Sequence, residues 1–171
     1  MKMTNAEHSG KTYERFLTFY LGAECYGVPI ASVKEIIALI KTTKIPKSPY
    51  YLRGVMNLRG VIIPVVDMRA RFHMEAVEAT MHTAVIIVKI REDSIGFVVD
   101  RVEEVVNASN DQISEPTSFG DGVDRGYIKN MIRTEKAVIM VMGLENILSE
   151  QELAELEHSA QNAGNNITVV Q

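Results

Sequence analysis

Two internal repeats limit what this chain can become. Displaced by 69 residues, the separation of Gly27 from Gly96, the sequence lays Leu21 on Ile90, Glu24 on Asp93, Tyr26 on Ile95, Ile30 on Val99, Val33 on Val102, Glu35 on Glu104 and Ile36 on Val105. Displaced by 76, the separation of Tyr51 from Tyr127, it lays Leu52 on Ile128, Val55 on Met131, Ile62 on Val138, Val65 on Val141 and Met68 on Leu144. Two hairpins, A and B, are each used twice in the order A-B-A′-B′, and the difference in offset falls in the loop 107–126 with Pro116, Gly120, Gly122 and Gly126.

Short apolar or β-branched runs at 16–21, 26–30, 83–90 and 95–99, separated by turn-forming GAE and REDS, read as strands. Close strand spacing with few helical patterns favours barrels or sandwiches over a βαβ sheet. The reading is mainly β, a domain over 13–148 built from two units at roughly 13–72 and 82–148. Ser32–Glu35 and Asp100–Glu103 are expected as capped single helical turns. Ser149 and Glu152 form a capping box that opens a helix over 149–160, with Leu148, Leu153, Leu156 and Ala160 on one stripe. Residues 1–12 and 161–171 are expected to be flexible tails.

A chain of 171 residues can bury about 70% of its unfolded surface, enough for a substantial core. The formal charge of −4, with no cluster of Lys and Arg, argues against a nucleic-acid partner. Cys25 is the only cysteine, so an intramolecular disulfide and a multi-cysteine zinc site are excluded. The N-terminal residues have no apolar signal-peptide core, and no apolar run reaches the roughly 18 residues of a membrane span. The expectation is a cytoplasmic protein without direct membrane insertion, unless a partner holds it at a membrane.

Catalytic chemistry finds little support in the pattern. Ser9-Gly10-Lys11-Thr12 resembles the end of a P-loop, but Asn5 stands where the first glycine is required. His8, His73, His82 and His158 lack metal-ligand spacing. Cys25 falls in an expected hairpin turn with no base nominated beside it, and Asp100, Glu103 and Glu104 read as solvated caps. Neither a cofactor nor a metal is called for.

Arg59 stands apart. The stretch Asn57-Leu58-Arg59-Gly60 corresponds in the second copy to Arg133-Thr134-Glu135-Lys136, so the framework repeats while the turn reverses its charge. A function specific to the first unit explains this better than a structural balance. Pro64, which cannot donate to a ladder, marks 61–66 as an edge or bulged strand, and an edge beside a positioned arginine suits protein recognition.

Ile45, Pro46 and Pro49, the run Tyr51-Leu52-Arg53-Gly54-Val55-Met56-Asn57-Leu58-Arg59-Gly60, the segment Ile63-Pro64-Val65-Val66-Asp67-Met68-Arg69 and the hairpin Gly96-Phe97-Val98-Val99-Asp100-Arg101-Val102 together resemble the signature of the CheW family of chemotaxis adaptors. The resemblance covers about residues 13–148. It implies two packed SH3-like five-stranded barrels, no enzymatic activity, and coupling of chemoreceptor cytoplasmic tips to the regulatory domain of the histidine kinase CheA. It further implies receptor or kinase contacts at Val33, Glu35, Gly54, Asn57, Arg59 and Gly96. Asn130 and Gly143 depart from the pattern, which more often has Gly and Asp there. The competing expectation is a small-molecule-binding or catalytic double barrel, which would need an enclosed polar pocket.

Overall fold

Strands whose two faces are both covered carry continuous apolar runs, whereas strands with one wet face alternate. Both kinds occur here. In the computed structural model, which describes residues 10–116 and 125–170, the chain forms β1 (Tyr13–Leu21), β2 (Glu24–Pro29), β3 (Val33–Ala38), β4 (Leu52–Leu58), β5 (Val61–Asp67), the short helix α1 (Met68–Arg71), β6 (Ala84–Ile90), β7 (Asp93–Val99), β8 (Arg101–Ser109), β9 (Ile113–Ser114), β10 (Ile128–Arg133), β11 (Val138–Met142), and the helices α2 (Leu144–Ile147) and α3 (Glu150–Val170). The continuous runs of β6 and β7 are buried on both faces, while β3, VKEIIA, alternates half-buried with exposed. His8, Ser9, Gly120 and Gly122 lie outside the described residues.

The strands form a six-stranded sheet in the order β8-β1-β2-β11-β10-β9 and a five-stranded sheet in the order β3-β6-β7-β5-β4. This mainly β architecture, with two curled sheets, short helical turns and a C-terminal helix, fits two SH3-like barrels. The first-copy hairpin β1–β2 sits with β10–β11 of the second copy, and β6–β7 sits with β4–β5 of the first. The segments 13–72 and 82–148 are therefore repeats of sequence and not the spatial units, because each hairpin is exchanged into the other barrel.

Registers confirm the equivalence. In the parallel pair β5–β7, Val65 lies opposite Gly96, and in β11–β2, Val141 lies opposite Gly27; the two pairings superpose under the repeat offsets. The equivalent edge strands β3 and β8 carry a bulge at the same place, between Val33 and Glu35 on β3 and between Val102 and Val105 on β8. The hydroxyl of Thr18 fills the second bulge, donating to the Glu104 carbonyl at 2.8 Å and accepting from the Glu104 amide at 3.1 Å.

Each barrel has its own filling: Phe16, Cys25, Ile132, Ile139 and Val141 in one, Met56, Ile63, Val65, Val85, Ile87 and Val98 in the other. The largest apolar cluster among the described residues is the seam between them, drawing Leu17, Phe19 and Val28 from one side, Ile86, Val88 and Phe97 from the other, and Leu153 and Leu156 from α3.

Several local expectations change. Residues 101–109 are strand where Asp100–Glu103 was expected to be helical, since β8 completes a barrel edge and its bulge breaks the alternation a strand would show. Ser32–Glu35 is likewise the end of a 3-10 turn, Ile30–Ser32, running into β3. Cys25 lies inside β2, buried, and burial pushes its thiol pKa up. β5 is interior, not an edge: Val55, opposite Pro64, directs its own N–H and C=O to Thr43 (2.9 and 2.8 Å), so the proline nitrogen faces away from β4, and the parallel pairing with β7 begins only at Val65.

The capping box at Ser149 forms as expected, Ser149 N–H donating to Glu152 Oε1 (2.8 Å) and Glu152 N–H to Ser149 Oγ (3.1 Å). The helix it opens does not end at 160 but continues to Val170, with Ala160 and Ala163 buried against Val55 and Ile62. Gly143 leaves α2 without a side-chain cap, yet the helix forms, its first turn closed by Asn146 N–H donating to the Gly143 carbonyl at 2.9 Å.

Candidate functional site: the β4–β5 turn and the edge strand β3

Leu58 and Val61 close β4 and β5 around Arg59 and Gly60, whose φ values of 51° and 86° give the type I′ geometry that matches the twist of a two-residue hairpin. Glycine adopts such a φ freely and arginine does not, so Arg59 sits in a backbone conformation disfavoured by roughly 1–2 kcal/mol. Asn57 holds the turn in place: its Oδ1 accepts from Gly60 N–H at 2.8 Å. The result is a guanidinium presented from the tip of a rigid hairpin, with the Arg59 side chain 69% exposed.

Arg59 Nη2 donates to Glu35 Oε2 on β3, a strand at the opposite end of the sheet order, brought close by the closing of the barrel. Bonding to Glu35 and its charge push the Arg59 pKa further up. Only one nitrogen of the fork is engaged by another described residue. Asp67, the acid at the far end of β5, caps α1 by accepting from Ala70 N–H at 3.2 Å.

Of the residues singled out from the sequence, Glu35, Asn57 and Arg59 are thus brought together. Val33 is separated from them by the bulge. It lies opposite Val88 and packs on the seam, whereas Glu35 lies opposite Ile87, which fills the barrel. Gly54 and Gly96 are buried packing positions. A Cβ on Gly54, at φ 151°, would sit 2.4 Å from the Thr43 carbonyl oxygen, and a Cβ on Gly96 would sit 2.8 Å from Val85 Cγ1.

Two features were missed in the sequence. Ile36 is 43% exposed beside Glu35, and its repeat equivalent Val105 is 40% exposed on the other edge strand. The signal was present, since Ile36 occupies the wet parity of VKEIIA. The other is an ion-pair node. Arg69 donates to both oxygens of Asp100 (2.8 and 2.6 Å) and to the Glu75 carbonyl (2.7 Å), while Asp100 also accepts from Gly22 N–H (2.7 Å). It joins α1, the β1–β2 turn and the start of β8, tying one barrel to the other. The Arg69 guanidinium holds the Asp100 carboxyl below its usual range. A second tie runs from Arg71, which lies over the Tyr51 ring (4.9 Å) and donates to the Ile147 carbonyl at 2.8 Å.

Among the described residues, no group of three or more His, Cys, Asp or Glu is arranged to hold a metal ion, and no helix is long and apolar enough to cross a membrane.

Comparison with known proteins places this geometry. Residues 15–152 match the family model for the CheW-like domain. The chain is 31% identical to the chemotaxis protein CheW of Klebsiella aerogenes, over 92% of this chain and 96% of that one, and 30% identical to that of Treponema pallidum, over 83% and 86%. Its structure resembles that of a scaffolding protein CheW from Thermoanaerobacter tengcongensis, with a TM-score of 0.76 and 29% identity, covering 82% of this chain and 96% of the other. With the family model spanning most of the chain, both barrels included, this protein belongs to the CheW family.

Proposed function

We propose that the chain is a non-enzymatic chemotaxis adaptor that couples the cytoplasmic tips of chemoreceptors to the regulatory domain of the histidine kinase CheA, working in the cytoplasm at the receptor array and held at the membrane through its partners. One observation carries the reading: Arg59 is kept in a disfavoured backbone conformation with most of its side chain exposed, an arrangement that does little for stability and much for contact. The N–H groups that no other described residue engages can grip a carboxylate or backbone carbonyls, and Glu35 fixes its direction. Membership of a family whose relatives are named chemotaxis and scaffolding proteins supports the same reading.

In this reading Glu35, Asn57 and Arg59 form the contact surface, with Ile36 as an apolar neighbour. Val33, Gly54 and Gly96 serve it by holding β3, β4 and β7 in place. Both barrel interiors are filled by side chains, which leaves a ligand-binding double barrel without a chamber among the described residues.

The test is capture of purified receptor-tip fragments and of the kinase regulatory domain on immobilised protein. Stoichiometric capture of both is expected. Capture of neither removes the adaptor reading.

A further inference from the structure

A cleft of about 460 Å³ opens immediately beside the Arg59 turn. Its floor is Gly60 of the turn with Val61, Ile62 and Ile63 of β5, one wall is Glu92 of the β6–β7 turn with Asp93 and Ser94 at the start of β7, and the other is the face of α3 carrying Glu157, Ala160, Gln161 and Gly164. Its size falls in the range of ligand sites, about 300–1,000 Å³, but it is open to solvent, as suits a side chain delivered by another protein. Val61 is 58% exposed and Ile62 half-buried, while Ile63 is buried, so the open apolar surface of the floor lies at its Val61 end. None of Glu92, Asp93 and Glu157 has a cationic partner within ion-pair distance among the described residues. Of the nearby cations, Arg91 pairs with Glu150 and Arg59 with Glu35, while Lys34 donates to the neutral Ser94 Oγ at 2.8 Å and leaves the three carboxylates without a direct ion pair.

We propose that this cleft docks a lysine or arginine side chain, flanked by aliphatic residues, from a segment of a partner protein. Long basic side chains lay their methylene stems along apolar surface while the charged head reaches an acidic rim, which is the distribution of chemistry found here. Burial and the neighbouring Glu92 push the Asp93 carboxyl pKa up, a strain that an incoming cation relieves. Occupancy would bring the partner into register with Arg59, one residue before the cleft floor, so the partner would present a base to the cleft and an acid or carbonyl to Arg59. The inference rests on the chain being a binding protein, and it adds the sign of the partner's charge.

The test needs neither receptor nor kinase, so its outcome is independent of the capture experiment. The isotope-labelled full chain is titrated with the amidated peptide Ala-Arg-Leu-Leu-Arg-Ala, and with a control bearing Glu in place of both Arg, while amide shifts are followed by NMR. Saturable shifts confined to 60–63, 92–94 and 157–164 are expected with the basic peptide alone. A doubly substituted chain, Glu92→Gln with Glu157→Gln, should bind it at least tenfold more weakly with an otherwise unchanged spectrum. Shifts elsewhere, equal binding of the acidic control, unchanged affinity of the double variant, or no shifts at millimolar peptide would each overturn the proposal. Concentration-dependent shifts at these residues without peptide would place a second copy of the chain in the cleft and overturn it as well.

Discussion

Glu35 on the bulged edge strand β3 holds the guanidinium of Arg59 at the tip of the β4–β5 hairpin, across the closing edge of a barrel. The pair is exposed, with 69% of the Arg59 side chain open to water, and exposed ion pairs contribute little to stability. Its value is direction: it aims a fork of donors that the Asn57–Gly60 turn has already lifted clear of the surface.

The turn chemistry yields the first prediction. Arg59→Asn places the residue most at ease with positive φ in the first position of a type I′ turn, so the melting midpoint should stay level or rise by an amount worth up to about 1 kcal/mol. Binding of receptor and kinase should fall together with that gain. A loss of stability in thermal melts would show that the Glu35 contact outweighs the backbone strain.

The seam and the exchanged hairpins predict one unfolding transition. Neither barrel can form without strands from both halves of the chain, and the seam gathers side chains from both. Urea unfolding followed by far-ultraviolet circular dichroism and by tyrosine fluorescence should give coincident curves. Two separated transitions would mean that the barrels fold without each other.

Val33, Gly54 and Gly96 should behave as packing residues. Gly54→Ala brings a methyl against the Thr43 backbone at a φ that alanine avoids, and should destabilise by about 3 kcal/mol or more. Val33→Asp places a charge at a half-buried position against the seam and should destabilise by a smaller amount, about 1–2 kcal/mol. Partner binding should fail only under conditions where the melting curves already show loss of fold. Unchanged melting with lost binding would make these residues direct contacts.

The Arg69–Asp100 node predicts an acid-sensitive tie. Asp100 has a folded pKa below its unfolded value of about 3.9, so its contribution is fully present above that value and is lost as pH falls through the folded pKa. Asp100→Asn should lose about 1–2 kcal/mol at neutral pH, through the two charge-assisted bonds from Arg69. In urea midpoints taken down a pH series, the gap between wild type and variant should persist to about pH 4 and narrow below it. A constant gap would show that the node acts through geometry and not charge.

The repeat was legible because apolar parity, glycine positions and turn residues recur at fixed offsets, and these fixed the equivalence of Val65 opposite Gly96 with Val141 opposite Gly27. The exchange of hairpins was not, since β1–β2 presents the same apolar pattern whether it packs on β4–β5 or on β10–β11. β8 read as a turn because Asp100 and Glu103 have capping spacing and the bulge leaves Glu103, Glu104 and Val105 all exposed, and the end of α3 read as a tail because its packing face is Ala160, Ala163 and Gly164. At the candidate site the sequence singled out Glu35, Asn57 and Arg59. The pairing of Glu35 with Arg59 had no local signal, for it arises only when a barrel closes.

The measurement that bears most directly on the adaptor account is the affinity of the ternary complex with receptor tip and kinase regulatory domain for Arg59→Ala, taken beside the melting midpoint of the same variant. The account predicts a loss of about 2 kcal/mol, on the order of 30-fold, with a midpoint that scarcely moves because the side chain is exposed. Normal affinity with a lowered midpoint would contradict it and make Arg59 a structural partner of Glu35.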